Sequence, residues 1–188
     1  MILLLALNLF LPTLFHPLDE SIFKDSMIIA SSMTTVSEDK TSKKVMYPVE
    51  KIYLDGGYLE VNEALQEAEE YLKQDIPLPT RLPPVAFTHH FGIFSTLGSP
   101  QLEITYLNED SGHTHYKIYV TPLEHKLEFR KEHVARLKDG SEAIYYPGGN
   151  FVLLAFEKKD LQYVLMVDKI HPEITKEVLV KIANSITP

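Results

Sequence analysis

The sequence predicts an α+β fold: an antiparallel β-meander of about six or seven strands, with an N-terminal helix before it and a C-terminal amphipathic helix packed on the sheet. Three observations carry this. Apolar-rich runs follow one another with only turn residues between them, at Asp139-Gly140, Gly148-Gly149-Asn150 and Lys159-Asp160. The runs Phe151 to Phe156 and Tyr163 to Val167 are nearly continuous in apolar types. Too short for typical helices and rich in aromatic and β-branched residues, they read as central strands buried on much of both faces. Finally, Thr175 stands as an N-cap before Val178, Leu179, Ile182, Ala183 and Ile186, which fall on one helical stripe. Consecutive strands joined by tight turns imply antiparallel pairing, not βαβ units.

Taken in order, the chain begins with its most apolar stretch, Met1 to Phe15, broken by Asn8 and Pro12. At about fifteen residues it is short for a membrane-spanning helix, which needs roughly 20, and it matches the apolar region of a signal peptide. Lys24 is the first basic residue, so the positive flank is missing, and the nearest small-residue cleavage candidate is Ile29-Ala30-Ser31. A start site annotated out of place, a retained anchor and a buried N-terminal element of a cytosolic fold all stay open; export is the expectation. Residues 16–48 read as a polar linker, with Ser31 to Lys44 rich in Ser and Thr and without periodicity. A single α+β domain is expected over residues 49–188.

Asn62 is the expected cap of a helix to about Gln74, with Leu65, Ala68 and Leu72 on one face and Glu63, Glu67, Glu69 and Glu70 elsewhere. Four prolines between Pro77 and Pro84 then enforce an extended connection. Val85 to Phe94 is a strand candidate. Gln101 to Leu107 alternates Leu102, Ile104 and Tyr106 against Glu103 and Thr105, which reads as a half-buried strand. Tyr116, Ile118 and Val120 alternate likewise after the turn at Asn108 to Gly112, and Pro122 to Lys131 is a charged connection. The turn at Asp139-Gly140 is expected to be type I′, with both central residues at positive φ.

Composition narrows the function. The 188 residues carry a formal net charge of −8, which disfavours nucleic acid and anionic membrane surfaces as partners, since both need clustered Lys and Arg. Membrane contact is expected only through the N-terminal apolar segment. The chain has no cysteine, so disulfides, thiolate metal sites and thiol catalysis are excluded.

The ordered set ALQEAEEYL (64–72), PLPTRLPP (77–84), LEITYL (102–107), YKIYV (116–120), LKDGSEAIYY (137–146), FVLLAFEKKDLQYVLMV (151–167) and ITKEVLVKIANSI (174–186) resembles the extracytoplasmic family catalogued as domain of unknown function 4367. The resemblance covers roughly Asn62 to Ile186. It implies an extracytoplasmic location and a curved antiparallel sheet plus helix of the lipoprotein-carrier kind, and it supplies no catalytic residues. The family often has Trp where this chain has Phe156. It also often follows a transmembrane segment, sometimes after an anti-sigma zinc-binding module.

Eight histidines are the first place to look for chemistry. His113 and His115 stand at i, i+2, so on a strand they share a face and could chelate a metal, with His89 (beside His90) as a third ligand. The competing reading is solvent-facing polar positions beside a turn, and no HExxH-type set supports a metal. No G-x-S-x-G elbow is present, and Glu69-Glu70 and Glu109-Asp110 read as a solvated helix face and a turn. Tyr106, Tyr116, Tyr119, Tyr145 and Tyr163 fall on expected strands and could line a concave ligand face, against ordinary strand packing. The expectation is therefore a non-catalytic extracytoplasmic binding or sensing module without cofactor, contacting an envelope protein or other envelope component through the sheet's concave face. A carrier of an apolar or lipid-like ligand is the alternative, and a metal-dependent enzyme a third reading. A carrier needs a continuous apolar cavity. A protein-binding module needs a filled core with an exposed patch or an unpaired sheet edge.

Overall fold

The structure is a computed structural model and describes residues 48–110, 114–168, 171 and 173–187. The leader, the linker as far as residue 47, and His113 lie outside the described residues. Helices α1 (Val49–Asp55) and α2 (Val61–Leu72) precede strands β1 (His89–Ser95), β2 (Gln101–Asn108) and β3 (Thr114–Pro122). A 3-10 turn at Leu123–His125 leads on to β4 (Val134–Arg136), β5 (Glu142–Tyr146), β6 (Phe151–Lys158), β7 (Leu161–Asp168) and α3 (Lys176–Ala183).

All seven strands form one antiparallel sheet in the order β1-β2-β3-β7-β6-β5-β4. The α+β architecture and the strand count follow the expectation. The order departs from a simple ladder once. After β3 the charged connection, too long for a hairpin, carries the chain to the far edge, and β4 to β7 return to close against β3. Leu123 N–H donates to Asp160 O at that junction, 3.0 Å.

Register builds the core. Ile104 pairs with Ile118, Ile118 with Leu165, and Leu165 with Leu154, so one aliphatic row crosses four central strands on one face. All four are essentially inaccessible to water. Ala64 and Ala68 of α2, Leu179, Ile182 and Ala183 of α3, and Ile76, Ile174 and Ile186 belong to the same buried cluster. At the row's β1 end sits Gly92, opposite Ile104. A Cβ there would stand 2.6 Å from Ala64 Cβ, so glycine is what lets α2 approach the sheet.

The other face is buried as well: Leu107, Tyr119, Leu153, Ala155, Val164 and Met166 are all inside. Both faces of β6 and β7 are covered for most of their length, as their continuous apolar runs predict. Glu103 and Thr105 are also buried, which corrects the half-buried reading of β2.

Three local expectations need revision. Helix α2 begins at Val61 with Glu60 as N-cap, not Asn62. The cause is tertiary: Leu59 and Gly92 exchange backbone hydrogen bonds of 2.7 and 2.9 Å, which fixes the chain one residue before the cap. Helix α1, with Pro48 at its N-cap, has no counterpart among the sequence expectations. At Asp139-Gly140 only Gly140 has positive φ. Gly140 N–H donates to Leu137 O and Leu137 N–H to Ser141 O. This is a type I-like turn over Lys138 and Asp139 with glycine in the left-handed position after it. The Asp139 carboxylate accepts from the Ser141 hydroxyl and amide, and these bonds hold it below the usual carboxylate range.

Lys73 ends α2 in the left-handed region, at φ 57° and ψ 33°. A side chain there costs energy that glycine does not. Lys73→Gly is expected to raise unfolding stability by about 0.5–1 kcal/mol, read by chemical denaturation.

Candidate functional site

The densest polar constellation lies on the second face of the sheet. In the β2–β3 pairing Glu103 faces Tyr119 and Thr105 faces Lys117, so Glu103 and Lys117 are diagonal neighbours on one side of the ladder. Lys117 Nζ is 2.7 Å from Glu103 Oε1, with side chains 5% and 9% exposed. Thr105 Oγ1 donates to the same oxygen at 2.8 Å. Tyr58, from the loop between α1 and α2, donates its hydroxyl there too, at 3.0 Å. The Lys117 ammonium also stands 6.0 Å from the centre of the Tyr119 ring.

An aromatic wall closes the site. Tyr53 of α1 meets Tyr58 edge-on at 4.9 Å and stacks on Phe91 at 4.7 Å. Val49, Phe91 and Leu107 complete this small cluster. Burial first, and the Glu103 charge second, push the Tyr53 and Tyr58 phenols far above their ordinary pKa. Tyr58 is thereby held as a hydrogen-bond donor. Chemically the arrangement is self-contained: one carboxylate oxygen takes three donors, and its charge is met by an ammonium in contact.

The histidines are nearby but separated. His115 presents its backbone N–H and ring Nδ1 to Asp168 Oδ2, at 2.9 and 3.1 Å. His89 Nδ1 lies 2.8 Å from Thr88 Oγ1, and its ring stacks near Phe91. Since His89 pairs with Leu107 and Leu107 with His115, the two positions share a face with their backbones about 10 Å apart, two strand spacings. Among the described residues no group of three or more His, Asp or Glu is placed to hold a metal.

The five tyrosines do not share one surface. Tyr106, Tyr116, Tyr145 and Tyr163 belong to the helix-covered cluster, whereas Tyr119 is on the opposite face. Tyr116 and Tyr163 are wholly buried; Tyr106 stacks on Tyr116 at 5.6 Å, and Phe156 stacks on Tyr163 at 5.4 Å. Cross-strand packing accounts for these contacts. Among the described residues the hydroxyls of Tyr116 and Tyr163 have no hydrogen-bond partner, and burial raises both phenol pKa values. Each unpaired hydroxyl costs about 1–3 kcal/mol. Tyr116→Phe and Tyr163→Phe are therefore each expected to leave stability unchanged or raise it, in thermal or urea unfolding.

A shallow cleft of about 310 Å³ runs beside α2, lined by Leu59, Glu63, Gln66, Glu67 and Glu70. It is acidic and open, unlike an apolar ligand chamber.

Fold and site together define a two-face-buried antiparallel sheet domain with a neutralised polar lock in its interior. No family model, curated protein or solved structure matches the chain.

Proposed function

We propose that this chain is a non-catalytic binding or sensing module that acts outside the cytoplasm and recognises an envelope protein through its surface. The observation that carries the reading is the filled core: the row Ile104, Ile118, Leu165 and Leu154 belongs to one buried cluster with residues of α2 and α3. A carrier of an apolar guest would need several hundred Å³ of connected apolar space. The buried Glu103–Lys117 pair supports the same reading, because Glu103 Oε1 is engaged within the fold by Lys117, Thr105 and Tyr58. The apolar leader and the resemblance to domain of unknown function 4367 support the location.

The test is native mass spectrometry of the protein purified without detergent from the extracytoplasmic fraction of its host. The bare polypeptide mass is expected. A co-purifying apolar molecule would replace this reading with the carrier, and recovery solely from cytosol would remove the location.

A further inference from the structure

We propose that the outer edge of β4 is a docking strand for an extended acidic peptide segment of a partner protein, which joins the sheet beside β4. This rests on the binding-module reading and names its partner's chemistry.

The backbone geometry comes first. Tyr145 N–H donates to His133 O at 2.8 Å, and Leu137 N–H to Ser141 O at 2.9 Å. Ala135 pairs with Ala143 in the same register. Residues 133, 135 and 137 thus turn their peptide groups toward β5, and Val134 and Arg136 turn theirs outward. Among the described residues these outward groups have no backbone partner. The opposite edge differs, because β1 is already engaged by the two-way bridge between Leu59 and Gly92.

Side-chain chemistry then selects the occupant. Val134 is 43% exposed, an apolar contact beside the open peptide groups. Arg136 and Lys138 are exposed, and neither has a carboxylate partner among the described residues. The nearby acids are occupied: Glu142 by Lys131 at 3.1 Å, Glu132 by Arg130 at 3.9 Å, and Asp139 by Ser141. Lys126, Arg130 and Lys131 are paired with Glu157, Glu132 and Glu142, so Arg136 and Lys138 are the two cations beside the open edge that face no carboxylate among the described residues. A second copy docking here would bring Arg136 and Lys138 against their own kind, the device by which natural edges resist self-pairing. An acidic strand reverses that sign. Backbone bonds would supply affinity, and the cations selection and register.

The test uses short capped, fluorescein-labelled peptides, one alternating valine with glutamate and one alternating valine with lysine, titrated by fluorescence anisotropy against the full chain. The acidic peptide is expected to bind, more weakly as salt rises, and to protect the Val134 and Arg136 amides from hydrogen exchange. Val134→Pro removes the outward donor without touching the bonds to β5, and it is expected to abolish binding. The double change Arg136→Glu, Lys138→Glu lies on the surface and keeps the test valid if the proline variant fails to fold. It is expected to weaken binding at least about tenfold, or 1.4 kcal/mol. Absence of acidic-peptide binding, equal binding of the lysine peptide, or binding indifferent to both variants would overturn the edge assignment. With a bare polypeptide in the native mass spectrum, such a failure overturns the edge alone. A retained apolar ligand overturns the module reading itself.

Discussion

Lys117→Met is expected to destabilise the protein by about 3–5 kcal/mol, measured by urea or guanidinium unfolding. The substitution keeps most of the side-chain volume and removes only the ammonium. Glu103 is then left with a charge in a site where both side chains of the pair are less than a tenth exposed, held only by the Thr105 and Tyr58 hydroxyls. Coulomb attraction at 2.7 Å had offset the cost of removing that carboxylate from water. Glu103→Leu is expected to be comparably harmful, since it strands the ammonium and leaves the hydroxyls of Thr105 and Tyr58 without their acceptor. A surface ion pair gives the contrast. Lys51→Ala removes a pair whose side chains are more than half exposed and is expected to change stability by less than about 1 kcal/mol.

The second large effect is at Gly92. An added methyl would stand 2.6 Å from Ala64 Cβ and 3.1 Å from Ile104 Cδ1. The closer neighbour cannot yield, because Ala64 Cβ is fixed on the α2 backbone, and the Ile104 methyl has little room to turn because Ile104 is fully buried in the core row. Gly92→Ala is therefore expected to cost about 1–3 kcal/mol, and Gly92→Val more, by pushing α2 off the sheet. The mechanism has its own control. Ala64→Gly opens the space at a helix-propensity cost of about 1 kcal/mol, and the double variant should recover part of the loss. If both losses simply add, close approach is not what glycine secures here.

Strand positions were largely legible because hydrophobic runs and turn residues report local preference. Phe151 to Phe156 and Tyr163 to Val167 are apolar at almost every position, and that pattern has one economical meaning in a sheet buried on both sides. The strand order was less legible. Nothing local in Pro122 to Lys131 says that the chain crosses to the far edge; that follows from β7 pairing with β3. Helix α1 is not legible in the sequence because a seven-residue element has too few positions to show a stripe. The polar lock was hidden for another reason. Glu103 and Lys117 each alternate with apolar neighbours, the usual mark of a wet face. Their opposite charges at diagonal positions of one hairpin were the available signal. Tyr58 could not be foreseen, since it reaches Glu103 across 45 residues of sequence.

The account holds that the Glu103–Lys117 pair is a lock within the fold while recognition lies on the surface. The most direct measurement is equilibrium unfolding of the double variant Glu103→Leu, Lys117→Met beside its two single parents, with acidic-peptide binding read on the same samples. The double variant is expected to lose far less than the sum of its parents' losses, because no charge is left stranded and only the Thr105 and Tyr58 hydroxyls lack their acceptor. Its peptide binding should be unchanged. A double variant that folds normally but no longer binds the peptide would place the pair in recognition, and losses that merely add would show that the two residues are not a lock.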